Sequence, residues 1–174
     1  MTHPDDTALA DATKLALRRL AKSVVVITCR HEGRRYAMAA TAVDALSMEP
    51  PSLLACVNRS ASIHPALAGA EMFAINILRR DHEPLSHHCG GGAKGEARFE
   101  LGSWDDEAPV PILADAQAAI LCRRDATFEY GTHSIFVGRV AEVRTFGEVD
   151  PLVYVDGRYT GLHNSLSPMG RGLG

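Results

Sequence analysis

Five short stretches of the chain hold residue types that could do chemistry. His82, His87, His88 and Cys89 form a local cluster. Imidazole and thiolate at short spacing are zinc ligands. No matching second half occurs elsewhere, and helical spacing sets His82 and His88 on different faces, so a solvated helix end is expected and no metal site is assigned. Gly90-Gly91-Gly92-Ala93-Lys94-Gly95 has the composition of a phosphate loop. The order GxxxxGK[ST] is absent, as is GxGxxG, so any nucleotide must be held by another architecture. His133 stands in Gly131-Thr132-His133-Ser134, at the start of an apolar run. Met38-Ala39-Ala40-Thr41-Ala42-Val43 is built of small residues. Small side chains let backbone N–H groups approach a phosphate or a cofactor edge, and the same composition serves tight packing between elements. Asn58-Arg59-Ser60-Ala61-Ser62 closes one apolar run and precedes another. Hydroxyls and an arginine beside a helix start suit an anion, and Ser62 also reads as a plain N-cap. The chain shows no catalytic triad and no carboxylate pair.

The elements that must position these residues follow from periodicity. Leu9, Ala12, Ala16 and Leu20 recur at helical spacing behind a cap at Asp6 or Thr7. Val24 to Cys29 is rich in β-branched residues and reads as a strand. His31-Glu32-Gly33 is a turn from which Tyr36 to Ala40 returns antiparallel. Ser52 to Val57 is a buried strand entered from Pro50-Pro51. Ser62 caps a short helix reaching Ala70, with Pro65 in its first turn. Phe73 to Leu78 is the next strand, and Asp81 caps a short helix that stops near Gly90. Residues 90–110 read as loop. Ala118 to Phe128 and Ser134 to Val143 are long strands. Leu152 to Val155 and Arg158 to Leu162 form a hairpin about Asp156-Gly157, a type I′ signal. Many strands without regularly alternating helices predict a mainly β domain with flanking helices, an antiparallel barrel rather than a doubly wound parallel sheet. One domain over 1–162 and a flexible tail over 163–174 are expected.

Composition narrows the function classes. The chain has 174 residues, 46% hydrophobic and 22% charged, with a net charge of −3. These values fit a single globular domain that buries a sizeable core without staples. With no block of Lys or Arg, a nucleic-acid partner is not expected. No apolar run is long enough for a membrane span, so no membrane role is expected. The N-terminus lacks a basic stretch followed by an apolar core. Four cysteines with no CxxC pair fit reduced thiols and a cytoplasmic location. Cys29, Cys56 and Cys122 sit in apolar runs and read as buried hydrophobes.

An ordered set of segments resembles the flavin reductase-like family, the small split-barrel reductases of two-component flavin-dependent monooxygenases. The set is Val24 to Thr28, Met38 to Val43, Leu46 to Pro51, Cys56 to Ser60, Phe73 to Leu78, Arg98-Phe99 ahead of Trp104, Gly131 to Ser134, and Pro151 to Tyr154 ending at Tyr159. It covers roughly Leu20 to Leu162. Ala39 departs from the family pattern, where many members carry Thr, and so does Thr132, where many carry Asp.

The resemblance implies a Greek-key split β-barrel, a homodimer, and FMN (or FAD) in a groove at the dimer interface. It implies NAD(P)H:flavin oxidoreductase activity, with NADH or NADPH as hydride donor and an oxygenase component as recipient of reduced flavin. By resemblance, Met38, Ala39, Ala40 and Thr41 line the flavin ring. Asn58, Arg59, Ser60 and Ser62 belong to the phosphate end. Asn76, Arg98 and Phe99 border the site, Tyr159 lies at the pocket edge, and His133 serves at the nicotinamide or flavin face. Hydride transfer between two cofactors needs no strong acid or base on the protein, which fits the missing triad. Two other readings remain: a flavin-binding electron carrier or storage protein, and another split-barrel oxidase.

Overall fold

A computed structural model describes residues 4–162, with side chains from residue 7 onward. The expected tail, 163–174, lies outside the described residues. The elements in chain order are α1 (Pro4–Leu17), β1 (Lys22–Ser23), β2 (Val25–His31), β3 (Arg34–Ala40), β4 (Val43–Met48), β5 (Pro51–Asn58), α2 (His64–Gly69), β6 (Met72–Ile77), α3 (Glu83–His87), β7 (Trp104–Asp105), β8 (Ile112–Leu113), β9 (Ala118–Tyr130), β10 (His133–Thr145), β11 (Val153–Val155) and β12 (Arg158–Thr160).

Seven strands form one sheet in the order β3-β2-β6-β9-β10-β5-β4, every neighbouring pair antiparallel. The two edge strands, β3 and β4, are consecutive and joined only by Thr41 and Ala42. So short a link brings the edges together, and the sheet rolls into a barrel with a seam there. The Cys56 N–H donates to the Ala42 carbonyl at 2.8 Å and holds the link to β5. After β5 the chain crosses by way of α2 to set β6 between β2 and β9, the Greek-key crossing. Register shifts in β10 at Val137/Gly138 and Val140/Glu142 help the long strands coil.

Period-two alternation sorts side chains between two layers. Ile27, Cys29, Leu53, Ala55, Val57, Phe73, Ile75 and Phe136 fill the barrel, and Ile63, Ala66 and Leu67 of the α2 segment plug one end. Gly138 faces this interior, where an added Cβ would lie 2.5 Å from the Phe73 ring, so glycine is required there. Val24, Val26 and Ala37 face outward beneath Leu85, Cys89, Phe99 and Leu152. Ala74, Ala119 and Leu121 lie outward beneath Val110 and Ile112. β2 is therefore buried on both faces, which explains its unbroken apolar run.

Most expected elements are present, and the differences have physical causes. The Asp156-Gly157 hairpin has φ of 50° and 78° at its central residues, as a type I′ turn requires. α1 ends at Leu17, and its leucines Leu9, Leu15 and Leu17 are exposed. Ser62 does not cap α2: Ile63 occupies the N-cap position, and with Pro65 in the first turn the helix starts one residue later than the hydroxyl suggested. Asp81 does not cap α3; it accepts from Arg79 at 2.7 Å inside a 3-10 turn, and Pro84 sets the helix start. β4 goes unannounced by pattern because its exposed outer face interrupts the apolar alternation.

Asn76 is fully buried and satisfied at both ends of its amide. Its Nδ2 donates to the Val26 carbonyl at 3.0 Å and to Thr28 Oγ1 at 3.2 Å, and its Oδ1 accepts from Leu113 N at 2.9 Å. Thr28 in turn donates to the Pro111 carbonyl at 2.6 Å. The pair clamps the 111–113 segment to the outer sheet face. Asn76→Ala should leave the buried Leu113 N–H without an acceptor and cost about 2–4 kcal/mol. Urea denaturation checks this, and a loss below about 0.5 kcal/mol would refute the clamp.

Candidate functional site

The segment from β6 to β9 covers the outer face of β3, β2, β6 and β9. The outer face of β4, β5 and β10 receives no such cover. An open groove of about 600 Å³ lies here. That volume suits a cofactor-sized ligand. Thr41, Leu54 and Cys56 form its floor, Leu17 and Leu20 stand on one side, and Tyr154 closes the other.

Antiparallel pairing extends the floor. His133 pairs with Asn58, Ile135 with Cys56 and Val137 with Leu54. Directly paired side chains share a face, so His133 and Asn58 mark the far end of the stripe that begins at Thr41. There Asn58 Oδ1 accepts from Ser60 N at 2.9 Å and Ser60 Oγ at 2.8 Å, forming an Asx turn. His133 is exposed, with Nδ1 2.9 Å from Thr132 Oγ1. Ser62 is exposed on the same connection. The structure thus sets Asn58, with Ser60 bonded to it, and His133 on the strand face whose Leu54 and Cys56 line the groove with Thr41.

It does not bring the rest together as expected. Met38 and Ala40 pack against the barrel interior, while Ala39 packs in the outer layer. Their side chains cannot line one ring face, because alternate residues of a strand point oppositely. The backbone offers what the side chains do not. The Ala37 carbonyl accepts from Arg98 Nη1 across the free edge of β3. Backbone groups two residues apart point to the same edge, so Ala39 presents its N–H and C=O there too.

Arg98 is a strut, tied also to the Ala93 carbonyl at 3.0 Å. Phe99 is a core residue under the Arg35 guanidinium, 4.3 Å from its centroid, and edge-on to Trp104 at 5.1 Å. Asn76 lies in the clamp described above and has no exposed surface to offer a ligand. Arg59 turns its guanidinium toward Glu129 and Gly131. Tyr159 bonds Ser86 Oγ at 2.9 Å and stands one ring behind the groove, edge-on to Tyr154 at 5.1 Å and His87 at 4.8 Å.

Charge ties α1 to the groove rim. Arg18 Nε donates to Asp156 Oδ1 at 2.9 Å, and Asp156 N donates back to the Arg18 carbonyl at 2.8 Å. The Arg18 hydrogen bond, reinforced by its charge, holds the Asp156 carboxyl below its ordinary range. A depressed carboxyl contributes above its unfolded pKa, about 3.9, and loses that contribution as pH falls through the folded value. Lys22 reaches Asp44 Oδ2 at 3.3 Å, and both line the groove. Tyr154, Lys22, Asp44 and Leu54 escaped the sequence reading. Alternation along β5 could have supplied Leu54; the rest are set by long-range contacts that leave no local signal.

The histidine cluster is a solvated helix end only at His87, the exposed last residue of α3, while His82 and His88 are half-buried. His82 lies beside Asp115 at 3.3 Å, His87 beside Glu83 at 3.5 Å, and His88 Nε2 beside the Ala97 carbonyl at 2.7 Å. Among the described residues no three His, Cys, Asp or Glu assemble to hold a metal. No described helix is long and apolar enough to cross a membrane.

Comparisons agree with this architecture. The model of the flavin reductase like domain matches residues 17–163. The reductase component of an FADH(2)-dependent resorcinol hydroxylase from Rhizobium sp. is 38% identical over 149 residues, covering 84% of this chain and 83% of that protein. FMN reductase (NADH) RutF 2 of Rhizobium rhizogenes is 37% identical over 145 residues, covering 83% and 84%. The crystal structure of a flavin reductase domain protein from Arthrobacter sp. FB24 superposes with a TM-score of 0.82 at 26% identity, covering 92% of this chain and 99% of that one.

All four cysteines are free. Burial pushes the Cys29 and Cys122 thiols up to about 12 and that of Cys89 to about 11. Cys56 is half-buried, not buried as its apolar run suggested, because it faces the groove. A thiol reagent at pH 8 should modify Cys56 first in the native protein, and Cys56→Ala should remove that fast phase. A fast phase surviving the substitution would contradict the groove geometry.

Proposed function

The chain belongs to the flavin reductase-like family, and from that membership we propose that it is an NAD(P)H-dependent flavin reductase that supplies reduced FMN, or FAD, to a partner oxygenase component. The observation that supports this reading is that Leu54 and Cys56, which line the groove, share a strand face with Asn58, whose Oδ1 is bonded to Ser60. An apolar slot of cofactor size with amide and hydroxyl groups further along the same face has the profile of a flavin ring with its phosphorylated tail.

A flavin bound there supplies the hydride acceptor, N5, for nicotinamide C4. The chain supplies the setting. Leu54 and Leu20 present apolar surface that excludes water. The free β3 edge at Ala39 offers a backbone N–H to stabilise negative charge on the ring. Asn58, Ser60 and Ser62 orient the phosphate end, and His133 stands over the same face to orient the nicotinamide. The RutF relative is an FMN reductase (NADH), which favours NADH and FMN here. The other relative is the reductase component of a hydroxylase, which supports an oxygenase partner here. Four free cysteines accord with a cytoplasmic location.

The reading extends to a homodimer. Phe128 and Tyr130 are 60% and 84% exposed on the outer face of the β9–β10 hairpin, beside His133 in register. An aromatic patch of this kind marks an interface. Sedimentation should report a dimer at micromolar concentration; a monomer there would remove this part of the reading.

Aerobic NADH oxidation should be slow for the protein alone and switch on with added FMN. His133→Ala should lower kcat about tenfold, roughly 1.4 kcal/mol of barrel-bound transition-state stabilisation, with KM for FMN changed less than about twofold. Tight FMN retention without NADH or NADPH oxidation would favour the carrier reading. No response to either flavin with either nucleotide would end the reductase reading.

A further inference from the structure

Arg59 was expected at the flavin phosphate, and its surroundings assign it other work. Its Nη1 donates to Glu129 Oε2 at 3.1 Å and its Nη2 to the Gly131 carbonyl at 2.6 Å. Its backbone N–H donates to the Thr132 carbonyl at 2.9 Å. Three contacts from one residue thus grip three residues of the β9–β10 turn. That turn ends at His133.

A second side chain grips the next residue. His64, at the start of α2, lies with Nε2 2.9 Å from Ser134 Oγ. Its ring meets Phe136 edge-on at 5.5 Å. Ser134 is almost fully buried and pairs in register with Glu129. Paired side chains share a face, so Arg59–Glu129 and His64–Ser134 lie on one side of the sheet. His133 and Asn58 lie on the other, facing the groove.

We propose that Arg59 and His64, both on the β5–α2 connection, are positioning residues that clamp the Glu129–Ser134 turn from behind and so aim His133 into the groove. The part played by His133 rests on the reductase reading; the clamp itself does not. The Arg59–Glu129 pair is exposed on both sides, and such pairs add little to global stability. Its effect is local order at the turn, where Gly131 takes a φ of 55° just beyond the last β5–β10 pair, Asn58 with His133. Both Nη atoms of Arg59 are engaged with Glu129 and Gly131, which turns the guanidinium away from the stripe.

The test has two arms. In the ligand-free protein, Arg59→Ala and Glu129→Gln should each speed amide hydrogen exchange at residues 130–133 by about tenfold while leaving the urea midpoint nearly unchanged. Unchanged exchange at the turn overturns the clamp, whatever the enzyme does. In the assay, Arg59→Ala should lower kcat about fivefold in the parent and have no further effect in a His133→Ala background. The ratio of KM values for FMN and riboflavin should stay constant, since riboflavin lacks the phosphate. Independent kcat losses overturn the proposal, and a changed ratio returns Arg59 to the phosphate. Faster exchange at the turn in a protein without reductase activity would refute the functional reading and uphold the clamp.

Discussion

The two-residue link between β3 and β4 is the constraint on which this molecule turns. Thr41 and Ala42 join strands that occupy opposite edges of a seven-stranded sheet. A link that short admits one outcome: the sheet must roll until its edges meet. The roll encloses the Phe73–Phe136–Ile27 core and also creates a seam. At the seam the ladder stops, so backbone groups of the edge strands find partners outside it, as the Ala37 carbonyl does in Arg98. The groove lined by Thr41, Leu54 and Cys56 opens beside the same seam.

Where the site opens depends on what the rest of the chain covers. Asn76 and Thr28 pin the 111–113 segment over half of the outer sheet face. Leu85, Cys89 and Phe99 cover β2 and β3 next to it. The remaining outer face, on β5 and β10, stays open and carries Cys56, Ile135, Asn58 and His133 in register. The exposed leucines of α1 and the exposed Phe128 and Tyr130 border the same region. Groove and aromatic patch are two consequences of one uncovered face.

Polar residues divide by the same geometry. Asn76, Arg98 and Arg59 stood as site residues by the family resemblance, yet each makes its hydrogen bonds within the protein. Asn58, Ser60 and His133 keep a place on the stripe. Residue type alone does not distinguish these groups. An amide that holds a loop and an amide that holds a phosphate make the same hydrogen bonds.

Local chemistry was legible in the chain. β-Branched runs marked β2, β5 and β6, and Asp156-Gly157 marked a turn whose positive φ values few residue pairs tolerate. Pro65 marked a helix start, although the Ser62 hydroxyl and the Asp81 carboxylate misled about the caps of α2 and α3. The ordered segments also carried the family. Alternation could have shown that Met38 and Ala40 diverge from Ala39, but not which side faced a ligand. That choice, the meeting of Thr41 with Tyr154 and of Arg59 with the β9–β10 turn, and the exposure of Cys56 arose only on folding. They depend on strand order and on what packs over each face, and those are set by contacts between residues far apart in the chain, which no local pattern encodes.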